Sequence, residues 1–156
     1  MMTELLRALV SSFLGVLGFA VLVNAPKRSM LPAALIGTGA YVVYWALLQL
    51  GASEPAAVFV GAMTGSMAGL WCSGRMRMIG TVFLMMSIVS FVPGLGLYRC
   101  MEFLGNGQTG LGAEQGVAAM IDIAMIVLGQ GLGSYLFRSL KRLLSAKQER
   151  NRQRTP

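Results

Sequence analysis

Five apolar stretches separated by short polar joints dominate the sequence. They cover residues 6–23, 31–50, 56–72, 78–97 and 116–137. A helix needs about 20 mostly apolar residues to cross the hydrocarbon core of a bilayer, and each stretch comes close to that length. The pattern therefore predicts an all-α integral membrane protein with about five transmembrane helices, which form one membrane domain over residues 5–142.

Most basic residues lie on one side of this five-span arrangement. The first and third joints and the C-terminal end hold 11 of the 13, namely Lys27, Arg28, Arg75, Arg77 and seven residues from Arg138 onward. Cytoplasmic segments of membrane proteins carry an excess of Lys and Arg. The sequence thus predicts an N-terminus outside, a C-terminus inside and a multi-pass protein of the bacterial inner (cytoplasmic) membrane.

Residues 143–156 are polar, basic and rich in Gln. We expect them to form a cytoplasmic tail that is disordered or lies on anionic lipid headgroups. Because the other cations lie singly or in pairs between apolar runs, the net charge of +7 indicates membrane topology and no nucleic-acid partner. The first apolar run ends in Val23-Asn-Ala-Pro26, a poor match to a signal-peptidase site, so we interpret it as a retained span.

The composition offers little for catalysis. Charged residues make up 12% of the chain, against about 25% in a typical soluble domain. The sequence has no His, the usual general base and the commonest metal ligand. Cys72 and Cys100 have neither a CxxC spacing nor a His partner, so we interpret them as apolar packing residues. We therefore predict no enzyme activity, no metal and no cofactor.

Glycines recur every four residues in two of the spans. Gly61, Gly65 and Gly69 form one smooth stripe in the third span, and Gly129 and Gly133 repeat the spacing in the fifth. Such stripes let the backbones of neighbouring helices approach closely in lipid. We expect these five glycines to pack against other helices, although a stripe of small residues could also line a path for a solute.

Asp122 is the one acid inside an apolar span. At about 100° per residue it projects to the same side of the helix as Gly129 and Gly133, about 9 Å from the outer end of the span. Acids at such depth usually face a partner or a wet cavity. Asp122 is therefore a candidate for proton carriage or substrate binding, and the alternative is a hydrogen-bonded acid that only fixes helix packing.

Pro93, Gly94 and Gly96 interrupt the end of the fourth span. Proline removes a backbone donor from a helix, and helix ends exposed at membrane depth bind ions and carboxylates in transporters. We hypothesise that this break and Asp122 line one outward-facing cavity. The alternative is a helix that simply ends at the outer interface, with Tyr98 as an aromatic anchor.

Two motifs occur in a fixed order along the chain: Gly18-Phe-Ala-Val-Leu-Val-Asn-Ala-Pro-Lys-Arg28 and, two apolar spans later, Ser90-Phe-Val-Pro-Gly-Leu-Gly-Leu-Tyr98. With them the chain resembles the threonine/serine exporter family, and in particular its small, separately encoded membrane subunit, over residues 5–142. The family's Asn-x-Pro turn maps onto Asn24 to Pro26, and its Pro-Gly element with a following Tyr maps onto Pro93, Gly94 and Tyr98. Asn24 and Tyr98 therefore join Asp122, Pro93, Gly94 and Gly96 as candidate substrate- or proton-binding residues.

The resemblance implies a partner and a transport activity. Members of this family pair with a larger subunit that carries the complementary membrane half, and the assembly exports small hydroxy amino acids, or dicarboxylates such as succinate, with the proton gradient. The odd number of spans points the same way, because two five-span halves can form an inverted repeat that one half cannot form alone. We therefore predict a membrane subunit of a secondary exporter. The alternatives are a homo-oligomer and a small structural or regulatory membrane protein that stabilises another complex.

Overall fold

The computed structural model describes the backbone of residues 2–152 and the side chains of residues 6–143. Within this part of the chain all regular structure is helical, which confirms the predicted all-α class. The helices are α1 (Met2–Leu22), α2 (Lys27–Gln49), α3 (Glu54–Met76), α4 (Gly80–Ile88), α5 (Gly94–Gly105) and α6 (Thr109–Arg152), with a 3-10 turn at Val89–Phe91 between α4 and α5.

Three helices are long and apolar enough to cross a membrane: α2, α3 and the Thr109–Leu143 part of α6. The segment Gly80–Phe91 and helix α5 pass the same test together, although they are bent by 52° at the break between them. The described part of α1, Leu6–Leu22, is apolar but shorter. The protein is an integral membrane protein, as predicted, with three spans by this measure or four if the bent pair is one span. The predicted count of five spans also requires α1 to cross the membrane, and it stays a prediction.

Two of the joints between helices contain a residue with left-handed backbone. Asn24 has φ 51°, and the amide of the next residue, Ala25, donates to the carbonyl of Ala20 at 2.9 Å. Asn tolerates this conformation better than most residues because its short polar side chain can bond locally. Arg77, with φ 53°, ends α3 in the same way. These turns reverse the chain within a few residues, so α1 and α2 lie antiparallel, and so do α3 and α4.

Helix α3 lies between α2, α4 and α6. Its three stripe glycines are buried, and each faces a different neighbour: Gly61 the ring of Phe91, Gly65 the Cβ of Ala40, and Gly69 the Cβ of Phe83. A Cβ added at these positions would lie 2.9, 3.1 and 3.3 Å from those atoms. Gly61 also meets Tyr44 and Gly65 also meets Ser87. The contacts along α3 therefore run in the opposite order along α2 and along α4, so both helices are antiparallel to α3.

Helix α6 runs parallel to α3. A Cβ on Gly129 would meet the carbonyl oxygen of Phe59, and one on Gly133 would meet Ser66. Since both residue numbers rise together, the C-terminal ends of α3 and α6 lie at the same end of the bundle. The α1–α2 turn lies there too, because α2 is antiparallel to α3. The three basic segments of the sequence thus gather at one end of the molecule, called here the basic end.

Two side-chain hydrogen bonds join the segment before the break to other helices. Gln130 of α6 donates from Nε2 to the carbonyl of Leu84 at 2.9 Å, and the hydroxyls of Ser12 and Ser90 are 2.8 Å apart. These contacts tie α1 and α6 to the segment that precedes the break.

The region after the break differs from the prediction. The sequence suggested one span over residues 78–97, a Gly-rich loop, and a fifth span from residue 116, whereas the structure places helix α5 and the first turns of α6 in the predicted loop. Only residues 106–108 separate the two helices, and Gly107 makes the turn with φ 75°. Close packing explains the helices, because a Cβ on Gly116 would lie 3.0 Å from Sγ of Cys100. A glycine-rich segment that looks loop-like therefore forms a helical hairpin.

The C-terminal end also differs from the prediction. Helix α6 continues to Arg152, whereas the sequence suggested a disordered tail from residue 143. Ala, Lys, Gln, Glu and Arg, which fill this segment, are among the better helix formers. Residues 153–156 of the predicted tail lie outside the described residues.

Candidate functional site

A cavity of about 370 Å³ opens at the end of the bundle opposite the basic end. Its walls come from the last part of α2, the start of α3, the α4–α5 break, helix α5 and the first half of α6. Ligand pockets in proteins range from about 300 to 1,000 Å³, so this one suits a small solute.

The break between the 3-10 turn and α5 forms one wall. Pro93 precedes α5 and has no amide hydrogen, and the amide of Gly94 donates backward to the carbonyl of Val92 at 2.7 Å. The amides of Leu95 and Gly96 belong to the first helical turn, which has no intrahelical acceptors, and both residues line the cavity. Because α5 is bent away from α4 by 52°, the space beside this turn stays open.

Two carboxyl groups, those of Asp122 and Glu54, line the opposite wall. From the contact of Gly129 with Phe59, Asp122 lies about 10 Å toward the N-terminal end of α6, and Glu54 lies about 8 Å toward the N-terminal end of α3. Because the two helices are parallel, the two acids lie at nearly the same level. Asp122, which is half-buried, therefore lies level with the start of α3 and nearer the rim of the bundle than the sequence suggested.

Aromatic side chains form the floor beside these acids. The rings of Tyr41 and Tyr44 have centroids 5.5 Å apart, and Tyr44 meets Phe91 edge-on at 5.9 Å. Tyr41 and Tyr44 line the same cavity as Glu54 and Asp122. The acids thus stand next to aromatic faces and phenolic hydroxyl groups.

The remaining polar groups of the cavity are Arg99, Gln115 and Ser90. Arg99 is carried by α5, so a cation stands on a different element from the acids. The described residues contain no group of three His, Cys, Asp or Glu side chains that could hold a metal ion. The arrangement offers charges of both signs to a small polar solute.

The predicted site residues divide into two sets. Asp122, Pro93, Gly94 and Gly96 meet at the cavity. Tyr98 does not line it and is 64% exposed on the outside of α5, as an aromatic anchor at the membrane surface would be.

Asn24 lies far from this cavity. It is an exposed residue of the α1–α2 turn, and α2 rises about 26 Å from Lys27 to Tyr44. Its observed part is to turn the chain at the basic end. The five stripe glycines lie at helix contacts below the cavity and do not line it.

Sequence reasoning missed Glu54, Arg99 and the two tyrosines as site residues. It treated the two charges as topology signals in joints and gave the tyrosines no role. One signal was available: small residues recur at spacing four on both sides of the Asn106–Gln108 turn, which indicates a helical hairpin. They are Gly96 and Cys100 before the turn, and Gly112 and Gly116 after it. That hairpin folds Arg99 back toward the first half of α6.

An apolar helical bundle with ionisable side chains around a cavity at one end is the architecture of a multi-pass membrane protein. Residues 8–136 match the family model described as "Threonine/Serine exporter, ThrE". The chain therefore belongs to the threonine/serine exporter family, and its membrane and export assignment is established at the level of that family. Neither a curated protein nor a solved structure matches the chain.

Proposed function

We propose that the chain is the small membrane subunit of a proton-coupled secondary exporter, which moves threonine, serine or a related small polar metabolite out of a bacterial cell together with a larger partner subunit. The observation that carries this proposal is the cavity, because it joins the interrupted helix, Asp122 and Arg99 in one space of about 370 Å³. A protein that only stabilised another complex would need no such ionisable lining. Family membership supports the transport activity itself.

In the proposed mechanism, Asp122 carries the coupled proton. It is half-buried at the cavity wall, so its carboxyl group can meet both water and the substrate site. The first turn of α5 offers amide groups to a substrate carboxylate, as helix N-termini do for anions. Both parts face the same end of the bundle, which becomes the outer end in the proposed topology.

We further propose five spans with the N-terminus outside and the C-terminus in the cytoplasm. The gathering of Arg75, Arg77 and the basic end of α6 at one end of the bundle supports this orientation. The bent pair then counts as the fourth span, and α1 as the first. Five spans also favour a partner of complementary orientation, because one such chain cannot form an inverted repeat alone.

Export measured with and without the partner tests this function. Cells loaded with threonine or serine and expressing this chain alone should export neither above background, whereas co-expression with the larger subunit should give export. Export that collapses when the proton gradient is removed would support coupling. Full export by the chain alone would contradict the partner requirement and favour a homo-oligomer.

A further inference from the structure

We propose that the cavity binds its substrate as a zwitterion in one orientation, with the substrate carboxylate at Arg99 and the substrate ammonium group at Glu54 beside Tyr44. This inference rests on the proposed function and deepens it. It assigns two residues, one on each side of the cavity, that decide which class of small metabolite is accepted.

The charges of the cavity come from separate elements. Glu54 begins α3, and Arg99 lies in the second turn of α5, on the far side of the break. Both side chains are exposed and line the same cavity, so a solute that enters it meets charges of both signs. A small molecule with two opposite charges matches such a pair.

The surroundings of Glu54 favour an ammonium group. Tyr44 lines the cavity together with Glu54, and its ring packs beside those of Tyr41 and Phe91. Aromatic faces attract cations within about 6 Å of the ring centroid, and the effect adds to the attraction of a carboxylate. A primary ammonium placed there would contact both kinds of group.

The surroundings of Arg99 favour a carboxylate. Guanidinium groups bind carboxylates with two parallel hydrogen bonds. Leu95 and Gly96, one turn earlier on the same helix, line the same cavity, and their amides belong to a first helical turn that has no intrahelical acceptors. The anion site therefore combines a charged side chain with a helix start.

The charge balance excludes a dicarboxylate in this orientation. Glu54 and Arg99 together are neutral, so a zwitterion leaves the site neutral when Asp122 holds a proton. A dianion such as succinate would add two negative charges beside two acids, with only Arg99 to oppose them. The cavity therefore selects small amino acids over dicarboxylates.

Competition by two threonine analogues tests the orientation. The sample is membranes from the producing organism, which retain any partner subunit and contain the full-length chain or one of its variants. The measurement is the binding of radiolabelled L-threonine to these membranes. Threonine amide lacks the carboxylate, and 3-hydroxybutyrate lacks the ammonium group. For the wild type, both analogues should compete at least about tenfold more weakly than threonine, since each loses a charge-assisted contact.

The variants give opposite expected patterns. Arg99→Gln should bind threonine about tenfold more weakly while its affinity for threonine amide is unchanged, and Arg99→Lys should retain most of the preference for threonine. Glu54→Gln should lose threonine affinity while its affinity for 3-hydroxybutyrate is unchanged. Glu102→Gln and Arg7→Gln, which change exposed charges outside the cavity, are the controls and should match the wild type.

Two failures are distinguishable. If the wild type binds no threonine at all, the proposed function itself is contradicted. If the wild type binds threonine but Arg99→Gln and Glu54→Gln change nothing, or weaken all three compounds equally, only the orientation is overturned. Because both residues are exposed, the variants should fold, and the yield of monodisperse protein in detergent checks this.

Discussion

Asp122 and Glu54 lie at nearly the same level on two parallel helices, and their carboxyl groups line one cavity. Helix α6 supplies the first and the start of α3 supplies the second, so the pair exists only because α3 and α6 pack in parallel. Gly129, against the backbone of Phe59, sets that packing. The stripe glycines and the cavity acids are thus parts of one arrangement.

The glycine stripe of α3 makes a direct prediction for assembly. Gly65→Leu should destabilise the fold by about 1–3 kcal/mol, because overpacking forces neighbouring backbones apart. A Cβ at this position already lies 3.1 Å from Ala40 and 3.3 Å from Ser87. The measurement is the thermal unfolding of the purified protein in detergent.

A matched control exists on the same helix. Gly74 is exposed, and a Cβ there meets nothing within 4 Å. Gly74→Leu should therefore unfold like the wild type. Equal stability of the Gly65→Leu and Gly74→Leu variants would show that the close contact of α3 with α2 and α4 is unimportant for the fold.

The hydrogen bond from Gln130 to the carbonyl of Leu84 predicts a smaller effect. Polar contacts between membrane helices contribute about 0.6 kcal/mol on average and about 1.7 kcal/mol at most. Gln130→Leu should lower the free energy of unfolding by an amount in this range, measured in the same assay. Gln49→Leu, at the exposed end of α2, serves as the control, and an equal effect of the two would argue against a role for this bond.

The proposed orientation predicts the location of two reporters. A fluorescent protein that matures only in the cytoplasm should be active when fused after Pro156. A phosphatase that is active only outside the cytoplasm should work when inserted in the α2–α3 turn at Ala52. The opposite results at both positions would invert the topology and move the cavity to the cytoplasmic face.

Much of this architecture follows from the sequence. The length of the apolar runs and the basic joints predicted the helices α2 and α3 and the long apolar part of α6. Both signals are local, because each depends only on the segment itself and its flanking residues. The break at Pro93 was also visible, because proline acts locally. These features need no knowledge of which helices become neighbours.

The rest of the site depends on tertiary pairing. Arg99 looked like a joint residue, because the segment after Pro93 is rich in glycine and reads as a loop. Only the packing of α5 on α6, with Gly116 against Cys100, makes that segment a hairpin and directs Arg99 to the cavity. Glu54 likewise gained a role only when α3 and α6 proved parallel. Contacts between residues distant in sequence carry this information, and one sequence does not display them.

The measurement that tests the central claim most directly is threonine export by Asp122→Asn in cells that also contain the partner subunit. Asn keeps the size and hydrogen bonding of Asp but cannot ionise. If Asp122 carries the coupled proton, the variant should reach wild-type levels in the membrane and still exchange internal for external threonine, yet lose export driven by a proton gradient. Normal gradient-driven export by Asp122→Asn would contradict the coupling role and leave Asp122 as a residue that only fixes helix packing.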